Sequence, residues 1–321
     1  MIISCSDGTL SPVKFKETEV MELSWLMKLR IAVSAAVGVV LVGIVAWPLA
    51  AASSGPFAPL SVQTGVISIG DALILAALAF LAGFVAYFPC RPWGREIGVL
   101  AVPAGLAVWA VRGGNMTALL QLNPSLAQHQ ELFAALKWEP FFWLAIVAAG
   151  FGGVLAGEKI LPNPEPDKAK EKPKPKSEKY LNAAIAVVGS VLIAQFCISA
   201  FAQGIKIPDS KLGSVTAQPS IGQIVFAVLV SFAIAAFIVK KFLNLGYIWP
   251  TIASALVTAF AVSIHIKEPI LQHLGQNWPA VFFSNSITSI LPLQIVTFGT
   301  LGSIWGYWLA VRYDYWREHE N

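Results

Sequence analysis

Long apolar stretches alternate with short polar segments along most of the chain. A helix rises about 1.5 Å per residue and the hydrocarbon core of a bilayer is about 30 Å thick, so a spanning helix needs roughly 17 to 25 mostly apolar residues. Eight stretches meet this requirement. They are Leu29–Ala51, Asp71–Phe88, Glu96–Arg112, Pro140–Ala156, Tyr180–Ala202, Ile221–Val239, Tyr247–Ile264 and Leu291–Val311. The pattern predicts an all-α, polytopic membrane protein with eight spans, the third of them kinked by Pro103.

The first apolar stretch has a second interpretation. Arg30 precedes it and the small residues at 50–53 follow it, which imitates a secretory signal peptide with its cleavage site. A polar segment stands before Arg30, however, and the apolar run is long enough to cross a bilayer. We therefore interpret this stretch as the first transmembrane helix.

The sequence aligns with itself when it is shifted by 152 residues, so that position 68 falls on position 220. The triplet Ser-Ile-Gly at 68–70 then falls on the same triplet at 220–222, Pro140 on Pro292, and Gly150 on Gly302. Glycine, proline and a matched triplet carry the argument, because alanine and leucine match by chance in an apolar chain. Four spans per copy is an even number, so the two copies should enter the membrane from the same side as a parallel repeat.

This repeat divides the chain into five predicted segments. They are a cytoplasmic N-terminal segment at 1–27, a first four-helix unit at 28–160, a linker at 161–179, a second four-helix unit at 180–312 and a cytoplasmic tail at 313–321. The linker alternates prolines with lysines, which favours an extended, solvated tether. Its lysines could instead bind anionic lipid headgroups, but acidic residues in the same segment offset much of their charge.

Composition and charge exclude several classes of protein. The chain is 56% hydrophobic and 12% charged, with a mean hydropathy of +0.67, whereas soluble domains are about a quarter charged. The net charge of +4 does not indicate a nucleic-acid partner, because the basic residues lie between apolar runs. Most of them fall on one side of the membrane if the N-terminus is cytoplasmic. We expect a bacterial inner-membrane protein with both termini in the cytoplasm.

No chemistry of a known enzyme class is evident in the sequence. The predicted spans carry no ionisable residue near their middle, and no catalytic, metal or cofactor motif appears in a plausible context. His129 with Glu131, or His265 with His273, are conceivable metal or haem ligands, but their spacing supports neither pair. We expect solvated histidines at the interface, no catalytic residue, and no metal or cofactor.

Two loops on the predicted outer side, Gly113–Glu139 and Lys267–Ile290, contain short amphipathic patterns. Leu132, Phe133 and Leu136 recur at helical spacing in the first loop, and Ile270, Leu271 and Leu274 do so in the second. Such segments can lie as helices along the membrane surface. We expect lids that cover the bundles rather than substrate-binding segments.

Small and polar residues inside the spans are candidates for helix packing or for a face that binds a partner. Gly302 and Gly306 form a GxxxG pair, which lets helix backbones approach closely. Gln294, Thr297 and Gln195 are polar groups at membrane depth that should face another helix rather than lipid.

These observations favour a noncatalytic membrane protein. The leading hypothesis is a structural or accessory subunit of a membrane complex, with membrane lipids and other membrane subunits as partners. The alternative is a transporter or channel for a neutral or lipid-like molecule, with its path between the two repeats.

Overall fold

The computed structural model describes residues 24–51, 67–162 and 176–319. Seven helical segments among these residues are long and apolar enough to cross a bilayer. They are Trp25–Leu49, Ile69–Tyr87, Gly94–Arg112, Leu126–Ile160, Tyr180–Phe201, Ile221–Leu243 and Ile248–His265. The chain is therefore an α-helical, multi-pass membrane protein.

The described residues of the first part of the chain form eight α-helices and one π-helical stretch, Val39–Val45, between the first two of them. The α-helices are α1 (Trp25–Gly38), α2 (Trp47–Ala51), α3 (Ile69–Tyr87), α4 (Gly94–Gly98), α5 (Ala101–Arg112), α6 (Met116–Gln121), α7 (Leu126–Leu136) and α8 (Glu139–Ile160). We call α1 to α8 the first half.

The second half begins with α9 and includes a small sheet. Its elements are α9 (Lys176–Phe201), β1 (Lys206–Asp209), β2 (Gly213–Ala217), α10 (Ile221–Leu243), α11 (Ile248–His265), α12 (Glu268–Asn277), β3 (Phe282–Phe283), a 3₁₀ turn (Ser286–Ser289) and α13 (Pro292–His319). The three strands form one antiparallel sheet in the order β1, β2, β3. The all-α expectation overlooked this sheet, because its strands are short and lie between helices.

The predicted linker at 161–179 and tail at 313–321 both overlap helices. Helix α9 begins at Lys176, inside the predicted linker, and α13 continues to His319, inside the predicted tail. Residues 163–175 of the linker and most of the N-terminal segment 1–27 lie outside the described residues. Helices ran past the predicted boundaries because hydropathy marks where a helix leaves an apolar environment, not where its hydrogen bonds end.

The third predicted span is interrupted as expected. Helices α4 and α5 are separated at Val99 and Leu100, just before Pro103. Proline has no N–H to bond the carbonyl of the residue four positions earlier, which here is Val99, and its ring crowds that carbonyl. The break therefore lies where the missing hydrogen bond predicts it.

Close backbone contacts join the long helices within each half. A Cβ atom on Gly153 of α8 would lie 2.0 Å from the carbonyl oxygen of Phe80 in α3. A Cβ atom on Gly306 of α13 would lie 2.0 Å from the carbonyl oxygen of Ala233 in α10. Each pair of helices can approach this closely only because the residue at the contact is a glycine without a side chain.

Helix α13 lies at the centre of the molecule. It packs against α10 and α11 of its own half and against α5 and α8 of the first half. Residues 291–300 are all buried. Protein surrounds this stretch, which carries Gln294, Thr297 and Thr300 among its apolar residues. With these polar residues, α13 is not among the seven segments that are apolar enough to span by composition.

The two ends of the bundle differ in structure. The terminal end holds the beginning of α1 and the last turns of α8 and α13. The opposite end carries a cap formed by α6, α7, α12 and the sheet. An apolar cluster joins the cap across the halves, with Leu132, Phe133 and Leu136 from α7 packed together with Leu271 of α12 and Phe283 of β3. The two amphipathic loop patterns thus form helices that bury their apolar residues against the bundle.

Candidate functional site

The five packing candidates take part in separate contacts. Gly302 and Gly306 face α10, where a Cβ atom on Gly302 would lie 2.3 Å from the carbonyl oxygen of Leu229. Gln195 of α9 donates a hydrogen bond from Nε2 to the carbonyl oxygen of Val257 in α11, at 3.2 Å. These three residues therefore make contacts within the second half.

Gln294 makes a polar contact between the two halves. Its Nε2 donates to the carbonyl oxygens of Ala110, at 3.1 Å, and Gly114, at 3.5 Å, at the end of α5. Its Oε1 accepts from the backbone N–H of Leu291 at 3.1 Å. Thr297, one turn further along α13, is fully buried, and its hydroxyl has no hydrogen-bond partner among the described residues. Gln294 thus places a polar contact between α13 and the end of α5.

An open groove lies at the terminal end, between the first half and α13. We call it the terminal groove; its volume is about 450 Å³. Its wall is mostly apolar and aromatic, with Met27 and Ile31 from α1, Trp93 and Ile97 from the α4 region, and Tyr307, Trp308, Tyr315 and Trp316 from α13. Sites for small organic ligands have volumes of roughly 300 to 1,000 Å³ and similar linings. The terminal groove has the size and character of a ligand site.

Two charged side chains also line the terminal groove. Glu96 comes from the first turn of α4, and Arg312 comes from α13. The guanidinium of Arg312 lies 5.2 Å from the ring centroid of Trp316, a distance typical of a cation–π contact. The groove therefore offers a carboxylate and a guanidinium beside a large apolar surface.

A second groove lies between the halves at the capped end. We call it the seam groove; its volume is about 420 Å³ and its lining includes Val111, Asn115, Ile221, Ile224 and Gln294. Between the two grooves, α13 packs on α5 and on the turn before it, where Ile304 joins Val99 and Leu100 in one buried cluster. The two grooves thus lie at opposite ends of one closed helix contact.

The cap contains a buried polar network centred on Asp209, at the end of β1. Its carboxylate accepts hydrogen bonds from Nε2 of His273, at 3.0 Å, from Nε1 of Trp278, at 2.8 Å, and from the backbone N–H groups of Lys211 and Leu212. These donors, the His273 bond first among them, hold the pKa of Asp209 well below its ordinary value. The network fastens the β1–β2 hairpin to α12.

The partner of the His273 ring identifies its tautomer. The side-chain Nδ2 of Asn277 donates both to the carbonyl oxygen of His273, at 2.9 Å, and to the ring Nδ1, at 3.1 Å. With the Asn277 amide in this orientation, Nδ1 is the acceptor and the proton of a neutral ring lies on Nε2, where it faces Asp209. The histidine thus acts as a positioned donor in a tie between cap elements.

The histidine pairs considered from sequence do not form. His273 binds Asp209 rather than His265, and the Nε2 of His129 lies 3.3 Å from the carbonyl oxygen of Leu120. Among residues 24–51, 67–162 and 176–319, no group of three or more His, Cys, Asp or Glu side chains is placed to hold a metal ion.

Sequence analysis missed the terminal groove, although part of its signal was present. Aromatic residues are dense near the end of α13, and Tyr307, Trp308, Arg312, Tyr315 and Trp316 recur at spacings that share a helix face. Tryptophans at a helix end are expected at the membrane interface for their own sake. Only the position of α13 opposite α1 and α4 reveals that these side chains line a groove.

No protein-family model matches this chain, and no curated protein or solved structure matches it either.

Proposed function

We propose that this chain is a noncatalytic membrane protein that binds a lipid-like molecule in the terminal groove and moves it along the contact between its two halves. The observation that carries the proposal is the terminal groove itself, an apolar, aromatic site of about 450 Å³ lined from both halves. The seam groove at the other end of the α5–α13 contact supplies a second place for the same molecule.

The proposal includes a tandem, parallel repeat of two four-helix units, with α13 as the eighth span. Three matched features support it. Ser68 and Ser220 each cap the second long helix of their half, accepting a hydrogen bond from the backbone N–H three residues later. Pro140 stands at the start of α8 and Pro292 at the start of α13. Helix α3 packs on α8 as α10 packs on α13.

Burial supports the assignment of α13 as a span. Its 28 residues are more than enough to cross a bilayer, and its polar residues lie against other helices rather than lipid. The distribution of basic residues supports placing the terminal end in the cytoplasm of a bacterial cell, with the cap outside.

A second candidate function is a structural or accessory subunit of a membrane complex. The observation that favours it is the closed contact between α5 and α13, where Gln294 bridges the halves and leaves the two grooves separate. A rigid contact of this kind suits a scaffold better than a carrier, whose halves must rock against each other.

Reconstitution separates the two candidates. The purified protein is placed in vesicles, and the movement of a fluorescent phospholipid analogue between leaflets is compared with that in protein-free vesicles. We expect accelerated movement, reduced about tenfold when Met27→Trp fills the groove, which corresponds to about 1.4 kcal/mol of lost binding. Leu29→Trp is the matched control, because Leu29 lies on the same helix, is 46% exposed and is outside the groove lining.

Three results decide between the candidates. Equal loss of movement in Met27→Trp and Leu29→Trp would remove the groove from the path. Movement no faster than in protein-free vesicles would reject the carrier function. A stable partner subunit retained after mild extraction, together with that absence of movement, would establish the accessory role.

A further inference from the structure

The charges in the terminal groove narrow the class of molecule that fits it. The groove is lined by one carboxylate, Glu96, and one guanidinium, Arg312, from opposite halves. Both side chains also interact with other groups of the chain, so a bound molecule would share or exchange those contacts. The lining side chains together carry no net charge, which suits a headgroup that is itself both positive and negative.

The chemistry of Arg312 and Glu96 indicates which group of a bound molecule each would contact. A guanidinium presents a planar fork of N–H donors that matches the oxygens of a phosphate. A carboxylate only accepts hydrogen bonds, and a primary ammonium offers three N–H donors. The rest of the groove is lined by aliphatic and aromatic side chains such as Met27, Ile31 and Trp308, which suit a hydrocarbon chain.

We infer that the terminal groove binds a zwitterionic phospholipid whose headgroup carries a primary ammonium, with Arg312 on the phosphate, Glu96 on the ammonium and an acyl chain along the aromatic wall. This inference rests on the proposed function and specifies its ligand. The aromatic rings around the groove fit the boundary between headgroup and acyl chain, where Trp and Tyr are enriched in membrane proteins.

Native mass spectrometry of the purified full chain tests the assignment. The protein is supplied with phosphatidylethanolamine and phosphatidylglycerol of identical acyl chains, at equal concentration, and the retained lipids are counted. We expect retention of phosphatidylethanolamine to exceed that of phosphatidylglycerol roughly tenfold, the factor that one hydrogen-bonded charge contact provides. Glu96→Gln should bring the ratio close to one, and Arg312→Gln should lower retention of both lipids.

Matched controls remove similar charges elsewhere. Lys28→Gln neutralises a cation at the same end of the molecule, and Glu178→Gln neutralises an exposed carboxylate on α9; neither residue lines the groove. Both controls should retain the wild-type ratio. If Glu96→Gln or Arg312→Gln unfolds, two measurements still decide the question: the ratio in the wild-type protein, and Met27→Trp, which should lower retention of both lipids about tenfold.

The outcomes separate this inference from the function on which it rests. Equal retention of the two lipids, or preference for phosphatidylglycerol, would overturn the headgroup assignment and leave a lipid-binding groove. Retention of neither lipid by the wild-type protein would overturn both. An unchanged ratio in Glu96→Gln would show that the carboxylate does not bind the ammonium.

Discussion

The two halves of the molecule share a helical frame and differ where that frame ends. In both halves a capped second helix packs on a last helix that starts at a proline, and a glycine allows the close approach. The differences lie in the third helix, broken into α4 and α5 in the first half but continuous as α11 in the second, and in the cap. The features that both halves share hold helices together. The terminal groove and the Asp209 network occur where the halves differ.

The last helices of the two halves illustrate this difference. Near its end, α8 carries Gly157, where a Cβ atom would lie 2.8 Å from the ring of Tyr87, so this helix packs tightly on its own half. The last turns of α13 instead carry Tyr307, Trp308 and Arg312, whose large side chains line the terminal groove. The terminal groove lies between these side chains and the first half.

The largest effect is expected from the glycines that permit the common packing. Gly153→Ala and Gly306→Ala each place a methyl group 2.0 Å from a carbonyl oxygen of the facing helix, so the helices must separate. We expect each change to destabilise the protein by about 3 kcal/mol, the upper end for overpacking. The loss is measured as the unfolding midpoint in detergent, where the two variants should behave alike.

Gly189→Ala is the control for these two changes. Among the described residues, no atom outside the adjoining backbone of α9 lies within 4 Å of the position that a Cβ on Gly189 would occupy. The new methyl group meets no neighbour, and alanine favours a helix over glycine by up to about 1 kcal/mol. An equal loss of stability in all three variants would show that helix separation is not what the glycines determine.

Sequence patterns predicted the common frame better than the differences. The Ser-Ile-Gly triplets at 68–70 and 220–222 proved to be helix N-termini, and Pro103 marked the break between α4 and α5. Each of these features is local, because capping and proline geometry act within four residues. The long apolar runs are equally local, which is why seven of the predicted spans could be recognised by length and composition.

The residues that sequence analysis missed all depend on contacts between distant parts of the chain. Asp209 and His273 are 64 positions apart, and neither is unusual until a hairpin brings them together. The terminal groove requires α13 to lie beside α1, almost the full length of the chain away. The eighth predicted span, Leu291–Val311, falls on α13, which is less apolar than the seven segments because a helix surrounded by protein needs less apolar surface than one surrounded by lipid.

A smaller effect, confined to the cap, is expected from pH. The pKa of Asp209 is lowered in the folded protein, so its carboxylate stabilises the cap above the ordinary pKa of about 3.9 and loses that contribution as pH falls below it. The protection of the β1–β2 hairpin against hydrogen exchange, corrected for the intrinsic pH dependence of amide exchange, should therefore fall progressively as pH drops below about 4. Helix α7 should not respond, because its cap is the neutral pair Ser125 and Gln128.

Asp209→Asn distinguishes this titration from general acid unfolding. The variant should show faster exchange in the hairpin at neutral pH, because the ionised acceptor is gone, and little further change as pH is lowered. Acceleration in α7 alongside the hairpin, or an unchanged pH dependence in Asp209→Asn, would assign the effect to other groups.

The smallest effect is expected from the two matched caps. Ser68 takes part in a reciprocal capping box, since the carboxylate of Asp71 also binds the backbone N–H and the hydroxyl of Ser68. Ser220 accepts only the N–H of Gln223, whose side chain instead donates to the carbonyl oxygen of Phe201 at the end of α9. The same triplet thus caps a helix in both halves, but only in the second half does the residue after it, Gln223, bind a neighbouring helix.

This difference predicts unequal costs for the same substitution. Ser68→Ala should destabilise the protein by about 1 kcal/mol and Ser220→Ala by about 0.5 kcal/mol, the typical and low values for the loss of a serine cap. Gln223→Leu should then cost more than Ser220→Ala, because it removes two hydrogen bonds, to the carbonyl oxygens of Phe201 and Gln203. Unfolding midpoints of the three variants, measured in one detergent, give this order directly. A larger loss for Ser220→Ala than for Ser68→Ala would show that the second cap depends on its serine more than the hydrogen bonds indicate.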